Sequence, residues 1–378
     1  MVRAPDPPHS TRVTSGPDDT VGVRAGEAID ASALRGWLSV VIPDAVPADA
    51  PLEIRQYPSG FSNLTYLVAV GESNAVRRYV LRRPPRGVKQ GRAHNVVREH
   101  ALLAALHPLG VPVPRVIACC EDLAVIGAPF YLMEHVDGVI LRGAAPSELP
   151  TDARVATQTL AQLSRTFVSA LAHLHAVDVA HSVLASFGRP DGYAARQVDG
   201  WTRRWHASRT ETVPDMDHVA RWLAAHLPPD RVGALIHNDF KFDNLVLARD
   251  TMDQVSAILD WEMATIGDPM MDLGTSLAYW VEAGDAPVFK MLGLGVTALP
   301  GSLTRAELVQ AYGAASGRDT SDAAFYYAYG LFKVAVIAQQ IYARHEQGLT
   351  ADPRFAALRT VVAALGGAAA QVTATQVI

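Results

Sequence analysis

The sequence predicts an α+β protein of two lobes, a small strand-rich one followed by a large, mainly helical one. Three observations carry this. Apolar and polar residues alternate with a period of two in the stretch NLTYLVAV (63–70), helical periodicity dominates from about residue 150, and two short β-like runs interrupt the helical part. A chain of 378 residues also suits two lobes, because single cores stop growing at about 250–300 residues.

Residues 1–27 begin MVRAPDPPHSTRVTSGPDDTVG, rich in Pro, Ser, Thr and Asp, and read as a disordered or loosely attached arm. The small lobe is then expected over 28–134. DASALRGWLSVVI has helical spacing, with Asp30 or Ser32 as its cap. In NLTYLVAV, Leu64, Tyr66, Val68 and Val70 alternate with Asn63, Thr65, Leu67 and Ala69; GESN supplies a turn before the strand RRYVLRR. NVVREHALLAALHPLG predicts a helix ended by Gly110. VPVPRVIACC is extended, since each proline biases its predecessor away from helix. APFYLMEHVDG reads as a buried strand running into a polar link.

The large lobe is expected over 135–378. ARVATQTLAQLSRTFVSALAHLHAVD, DHVARWLAAHL, DLGTSLAYWVEAG, TRAELVQAYGAAS and AAFYYAYGLFKVAVIAQQIYARH all have helical spacing. Between them, NLVLA and VSAILDW read as two short strands around a turn. There are no internal repeats.

Composition narrows the classes. With 49% hydrophobic and 19% charged residues the chain is globular, and a net charge of −5 argues against a general nucleic-acid binder. The two cysteines, Cys119 and Cys120, are adjacent, so neither a disulfide framework nor zinc spacing is present. We expect no bilayer-spanning run and no signal peptide, hence a cytoplasmic protein with no membrane or nucleic-acid partner.

LIHNDFKFDNLVLARD (235–250) places His237, Asn238, Asp239, Lys241, Asp243 and Asn244 between apolar flanks, and Asp260 follows one hairpin later. Asp and Asn are turn formers, which is the plainer reading. Phosphoryl transfer to a hydroxyl, however, needs a proton acceptor and hard oxygen ligands for Mg²⁺. A carboxylate, an amide oxygen five residues on and a second carboxylate at a strand end supply that set.

HNDFKFDN and ILDWEMATIGDPMMDLG resemble the catalytic loop and metal-binding segment of aminoglycoside phosphotransferase-like kinases, which share the protein-kinase-like fold. GFSNLTYLV, YVLRRPP and FYLMEHVDG are similar to that family's nucleotide loop, third strand and hinge. The resemblance covers roughly residues 50–345. GRPDGYAARQVDGWTRRW resembles the branch containing the kinase-like domain of acyl-CoA dehydrogenase family members.

The resemblance implies Asp239 as catalytic base and Asn244 and Asp260 as Mg²⁺ ligands, with ATP or GTP as co-substrate. It implies His237 as loop scaffold. Lys241 is either a stabiliser of the transferring phosphoryl charge or a solvent-facing lysine. Glu262 is an outer metal ligand or a rim carboxylate. Arg82, on one strand face with Val80, is the candidate for the α/β-phosphates, with a slip to Arg83 open. Glu99, on an otherwise apolar helix stripe, is its expected partner. Ser62 and Asn63 would contact phosphate, and Met133, Glu134 and Val136 would form the hinge that holds the base. Asp268 and Asp272 are expected to be structural.

The acceptor is less legible. Eight Lys and Arg residues lie between Arg77 and Arg98 with no acid, usually a solvated run. Arg86, Lys89 and Arg92 could instead meet a phosphorylated acceptor such as a CoA ester. An aminoglycoside pocket should carry clustered acids. The stretch 191–211 has Asp191, Asp199 and Glu211, but arginines as well, and Trp201 and Trp205 at i, i+4 suit helix packing. The leading expectation is an ATP- or GTP-dependent small-molecule O-phosphotransferase acting on an aminoglycoside-type antibiotic or a hydroxyacyl-CoA-like metabolite. The alternatives are a nucleotide-binding pseudokinase and a metal-dependent hydrolase. The hydrolase lacks clustered histidines, and His173 and His175 at i, i+2 cannot converge on one metal.

Overall fold

In a computed structural model of the chain, the residues described are 19–47, 49–58, 63–71, 76–85, 95–143, 146–292, 295–349 and 353–378. They form two compact units, one from residues 1–97 with 116–135 and one from 98–115 with 136–378.

The smaller unit starts with α1 (Ala31–Val41), capped by Asp30, whose carboxylate accepts from the amides of Ser32 and Ala33. Strands β1 (Leu52–Gln56), β2 (Leu64–Val70) and β3 (Arg77–Arg83) follow, then β4 (Val116–Cys120), α3 (Leu123–Ile126) and β5 (Phe130–Glu134); α2 (Val96–Leu106) comes between β3 and β4 in the chain, and all of it but Val96 and Val97 belongs to the larger unit. The five strands make one antiparallel sheet in the order β1-β2-β3-β5-β4. Tyr66, Val68, Leu81, Phe130 and Leu132 bury one face with Leu34 and Leu38 of α1. Trp37 meets Phe130 edge to face with ring centroids 4.8 Å apart.

Two expectations need correcting here. Residues 19–27 of the expected loose arm are tied down, whereas 1–18 lie outside the described residues. Val21 bridges Gln56 of β1, Arg55 Nε donates to Thr20 Oγ1 at 2.7 Å, and the Glu27 carbonyl accepts from Tyr66 Oη and Arg83. These are backbone and polar contacts, which a scan for apolar periodicity does not see. Secondly, residues 98–115, read as part of the small lobe, group with the larger unit. Arg98 donates to the carbonyls of Phe187 and Ala264, and Pro112 accepts from the Ile258 amide. Periodicity marks the apolar face of a helix but not what that face meets.

The larger unit holds α4 (Ala153–His175), α5 (Tyr193–Ser208) and α6 (Pro214–Ala225). Then come β6 (Ala234–Ile236), β7 (Leu245–Leu247), β8 (Val255–Ile258) and β9 (Thr265–Gly267). Helices α7 (Pro269–Tyr279), α8 (Arg305–Ser316), α9 (Ala323–Glu346) and α10 (Leu358–Thr375) complete it. β7 pairs with β8 as expected; the pairing of β6 with β9 adds a second two-stranded sheet, its strands too short to show a period.

Helix α9 is buried along most of its length and crosses α7 at two glycines. A Cβ on Gly274 would lie 2.1 Å from the Tyr326 carbonyl oxygen, and one on Gly330 would lie 2.0 Å from that of Gly274. Only glycine allows this backbone approach. The C-terminal segment 354–375 is, by length and composition, apolar enough to cross a bilayer, contrary to expectation. Many small Ala, Gly and Val residues raise its hydropathy, and it packs against α9 and α6.

Candidate active site

The loop between β6 and β7 carries the expected catalytic residues, and its backbone is held from several sides. Asn238 takes φ of 67°, in the left-handed region, which Asn tolerates better than most side chains. The two amides that lead into it are spoken for. His237 N–H donates to Asp272 Oδ2 at 2.6 Å and Asn238 N–H to Asp272 Oδ1 at 2.7 Å. Asp272 lies on the first turn of α7, fully buried. Burial alone would raise its pKa, but hydrogen bonding from His175 and the nearby His237 outweigh it and hold the carboxyl below the usual range. His175 Nε2 is 3.2 Å from the same carboxylate, with its Nδ1 2.7 Å from Tyr312 Oη.

The turn therefore points Asp239 away from the core. Its carboxylate is half-buried, with Lys241 Nζ donating to Oδ1 at 3.0 Å and Oδ2 at 2.8 Å. Asn244 Nδ2 donates to Oδ2 at 2.9 Å and to the Asp239 carbonyl at 2.8 Å. Lys241 sits 4.6 Å over the Tyr279 ring. Burial opposes the Lys241 charge, but Asp239 and the neighbouring Tyr279 and Asp260 outweigh that and raise its pKa. So Lys241 is not the solvent-facing lysine of the plainer reading. Asp243, also in the loop, has its pKa raised by burial, against the pull of Lys241 and Arg142.

His237 is a scaffold. Its Nδ1 accepts from the Asp239 amide at 3.3 Å, which leaves Nε2 to donate to the Leu259 carbonyl at 2.9 Å. The Leu259 amide in turn donates to the Asn244 carbonyl at 2.8 Å. One residue on, Asp260 has φ of 66°, so its backbone turns sharply, and its side chain does not cap the short helix it begins. Asn244 and Asp260 are thus coupled through Leu259. With its amide nitrogen committed to Asp239, the Asn244 side chain leaves its oxygen as the available ligand atom. An amide oxygen and a carboxylate are the hard donors Mg²⁺ prefers. Among the described residues no three His, Cys, Asp or Glu side chains converge as a metal cage. Glu262 follows in the same short helical turn.

The nucleotide-side residues are placed as follows. Ser62 and the basic positions Arg86, Lys89 and Arg92 lie outside the described residues. Asn63 is buried just before β2, and Met133 and Glu134 end β5. Val136 follows in the larger unit. Arg82 and Arg83 separate by face. Arg83, fully buried with Leu81 on the α1 side, donates to Tyr66 Oη at 3.0 Å and to the Glu27 carbonyl at 3.0 Å. It is spent on scaffold. Arg82 points from the opposite face of β3, and Glu99 sits buried in the first turn of α2.

Several site residues were missed by sequence reading. Lys333 of α9 is 1% exposed, and its Nζ donates to the Asn238 carbonyl at 2.7 Å. Ser276 Oγ donates to the Phe240 carbonyl at 2.9 Å, and Tyr193 Oη accepts from Asn238 Nδ2 at 3.1 Å. A lone lysine in the apolar run YYAYGLFKVAVIA was the available signal. Asp268 and Asp272 are structural as expected: Asp268 caps α7 and accepts from Tyr326 Oη, and Asp272 clamps the loop. Trp201 and Trp205 are buried on α5, as packing residues.

A narrow cleft beside Lys241 is lined by Phe167, Phe242, Ser276, Tyr279, Trp280, Val296 and Thr297. It contains no carboxylate. Of the acids named for an aminoglycoside pocket, Asp199 pairs with Arg203 and Glu211 with Arg359.

A model of the phosphotransferase enzyme family matches residues 53–326. The chain belongs to that family. Among curated relatives of this phosphotransferase, acyl-CoA dehydrogenase family member 10 of Mus musculus is 35% identical over 335 residues, covering 88% of this chain and 30% of the relative. Family member 11 of Gallus gallus is 36% identical over 337 residues, covering 86% and 41%. The chain therefore spans well under half the length of the curated relatives it matches, and the likeness agrees with the branch suggested by GRPDGYAARQVDGWTRRW. A solved structure from Ralstonia eutropha JMP134, a "putative aminoglycoside phosphotransferase", is 29% identical with a TM-score of 0.73, covering 91% of this chain and 99% of that one. Choline kinase of Cryptosporidium parvum shares the fold at 12% identity and a TM-score of 0.60, covering 89% and 94%. The α+β architecture is the protein-kinase-like fold of these phosphotransferases, with a small β-rich and a large helical lobe.

Proposed function

We propose that this phosphotransferase moves the γ-phosphoryl group of ATP or GTP to the hydroxyl of a small molecule, with Asp239 as the base. The observation that carries the reading is the coupling of Asp239, Lys241 and Asn244 in one hydrogen-bonded cluster tied through Leu259 to Asp260. Asp239 takes the hydroxyl proton. Lys241 is paired with that carboxylate in the resting site and lies where it can offset charge on the transferring group. Asn244 and Asp260 would hold Mg²⁺, which when bound supplies charge neutralisation on the nucleotide phosphates. Arg82 takes the phosphate-gripping role and Glu99 the supporting role that the family resemblance gives them, and the segment Met133–Val136 that of the hinge.

For the acceptor, the likeness to acyl-CoA dehydrogenase family members 10 and 11 favours a hydroxyacyl-CoA-like metabolite over an aminoglycoside. The test is a mass-spectrometric screen of hydroxyacyl-CoAs, other hydroxyl metabolites and aminoglycosides with Mg-ATP and Mg-GTP. We expect one phosphoryl group gained on a hydroxyacyl-CoA, and loss of transfer in Asp239→Asn with nucleotide still bound. Transfer persisting in that variant would remove Asp239 as base. Nucleotide binding without transfer to any acceptor would mark a pseudokinase.

A further inference from the structure

We propose that Lys333 is a positioning residue for phosphoryl transfer: its ammonium holds the Asn238 carbonyl and so fixes the left-handed turn that presents Asp239. This rests on the reading of Asp239 as base, but the contact itself is independent of it. Asn238 is the pivot of the loop, and its backbone is gripped on both sides. Asp272 takes the two amides before Asp239, while Lys333 takes the carbonyl of the very peptide that leads into Asp239. A carbonyl bonded to an ammonium is held roughly twice as strongly as one bonded to a neutral donor. Lys333 also reaches Asn238 Oδ1 at 3.5 Å and Thr275 Oγ1 at 3.3 Å, and lies 5.9 Å from the Trp201 ring centroid.

A buried lysine is costly, and a scaffold alone does not need one. An apolar residue would fill this position on α9 but would leave the carbonyl without its donor. The charged groups around Lys333 come from each element packed on it. Asp272 of α7 (itself bonded to His175 of α4) and Asp239 of the loop favour the ammonium; Lys241 of the loop and Arg204 of α5 oppose it. Burial is the largest influence and lowers its pKa to about 8. The grip on Asn238 therefore weakens as pH rises through that value.

Hydrogen exchange of peptides spanning residues 235–245, corrected for intrinsic rates, tests this without any acceptor. In the wild type, protection of the His237, Asn238 and Asp239 amides should fall as pH rises through about 8, while α4 stays protected. Lys333→Met should lower that protection about tenfold at pH 7 and abolish the pH step. Thr275→Val removes a neutral acceptor of the ammonium and should move the step to lower pH, so the proposal stays testable if Lys333→Met does not fold. A loop that keeps its protection in folded Lys333→Met, or a wild-type step that is absent or is left unmoved by Thr275→Val, overturns the role. With Mg-ATP and a responsive acceptor, Lys333→Met should lower kcat with KM for nucleotide unchanged; an unchanged kcat also overturns it. If instead Asp239→Asn leaves transfer intact, the base assignment fails, and exchange still decides whether Lys333 holds the loop.

Discussion

Tyr66, Leu81 and Leu132 lie side by side on β2, β3 and β5, each fully buried, and α1 covers them with leucines. The loop from His237 to Asn244 is nearly as buried, yet its interior is polar. There an aspartate, a lysine, a serine and a tyrosine each meet a group of the loop. The sheet is stabilised by apolar area removed from water, which is non-directional and tolerates modest rearrangement. The loop is stabilised by donors and acceptors whose loss strands a buried partner. Damage to the sheet should therefore cost stability alone, whereas damage to the loop's anchors should also cost chemistry.

The contrast is sharpest at Asp272. Asp272→Ala strands two loop amides and His175, and should cost about 3–5 kcal/mol in urea unfolding, with phosphoryl transfer lost although Asp239 is untouched. Its pH signature has a definite sign. The folded carboxyl titrates below its unfolded value, so its contribution is fully present above the ordinary Asp range near 3.9 and disappears as pH falls through the lower folded value. Asp272→Asn should flatten that part of the acid limb of thermal melts between pH 5 and pH 2; an unflattened limb would place the acid sensitivity elsewhere.

Leu81→Ala in the sheet should cost about 2–5 kcal/mol by cavity formation while hydrogen exchange in the 235–245 loop stays unchanged. Loosening of the loop in that variant would break the proposed contrast. Gly330→Ala is intermediate in kind. It forces α9 from α7 at a cost of about 1–3 kcal/mol, measured by urea melts, and should displace Lys333 and Thr275 together. Equal stability of that variant would show the crossing to be looser than 2.0 Å implies. Smallest is Asp30→Ala, which removes the α1 cap for about 1 kcal/mol of unfolding free energy and should leave transfer at the wild-type rate.

Much of the architecture was legible because it is local. Alternation in NLTYLVAV and the cap–helix pattern at Asp30 depend on neighbours in sequence, and both appear as expected. What was illegible has partners far away. β6 and β9 are three residues each and exist as strands only because they pair across an intervening hairpin. The grouping of residues 98–115 depends on Arg98 reaching carbonyls at 187 and 264. Residues 19–27 are held by a bridge and polar bonds that carry no hydrophobic pattern.

The loop between β6 and β7 divides in the same way. Asp239, Lys241, Asn244 and Asp260 were visible because their chemistry is compressed into a short spacing, and sequence alone sufficed to choose their family. Sequence could not separate Arg82 from Arg83; the strand face did so, by committing Arg83 to Tyr66 and the Glu27 carbonyl. Nor could it find Lys333, 95 residues from the carbonyl it holds. That contact exists because two glycines let α7 and α9 approach backbone to backbone, bringing one buried ammonium to the turn that LIHNDFKFDNLVLARD can form but not secure by itself.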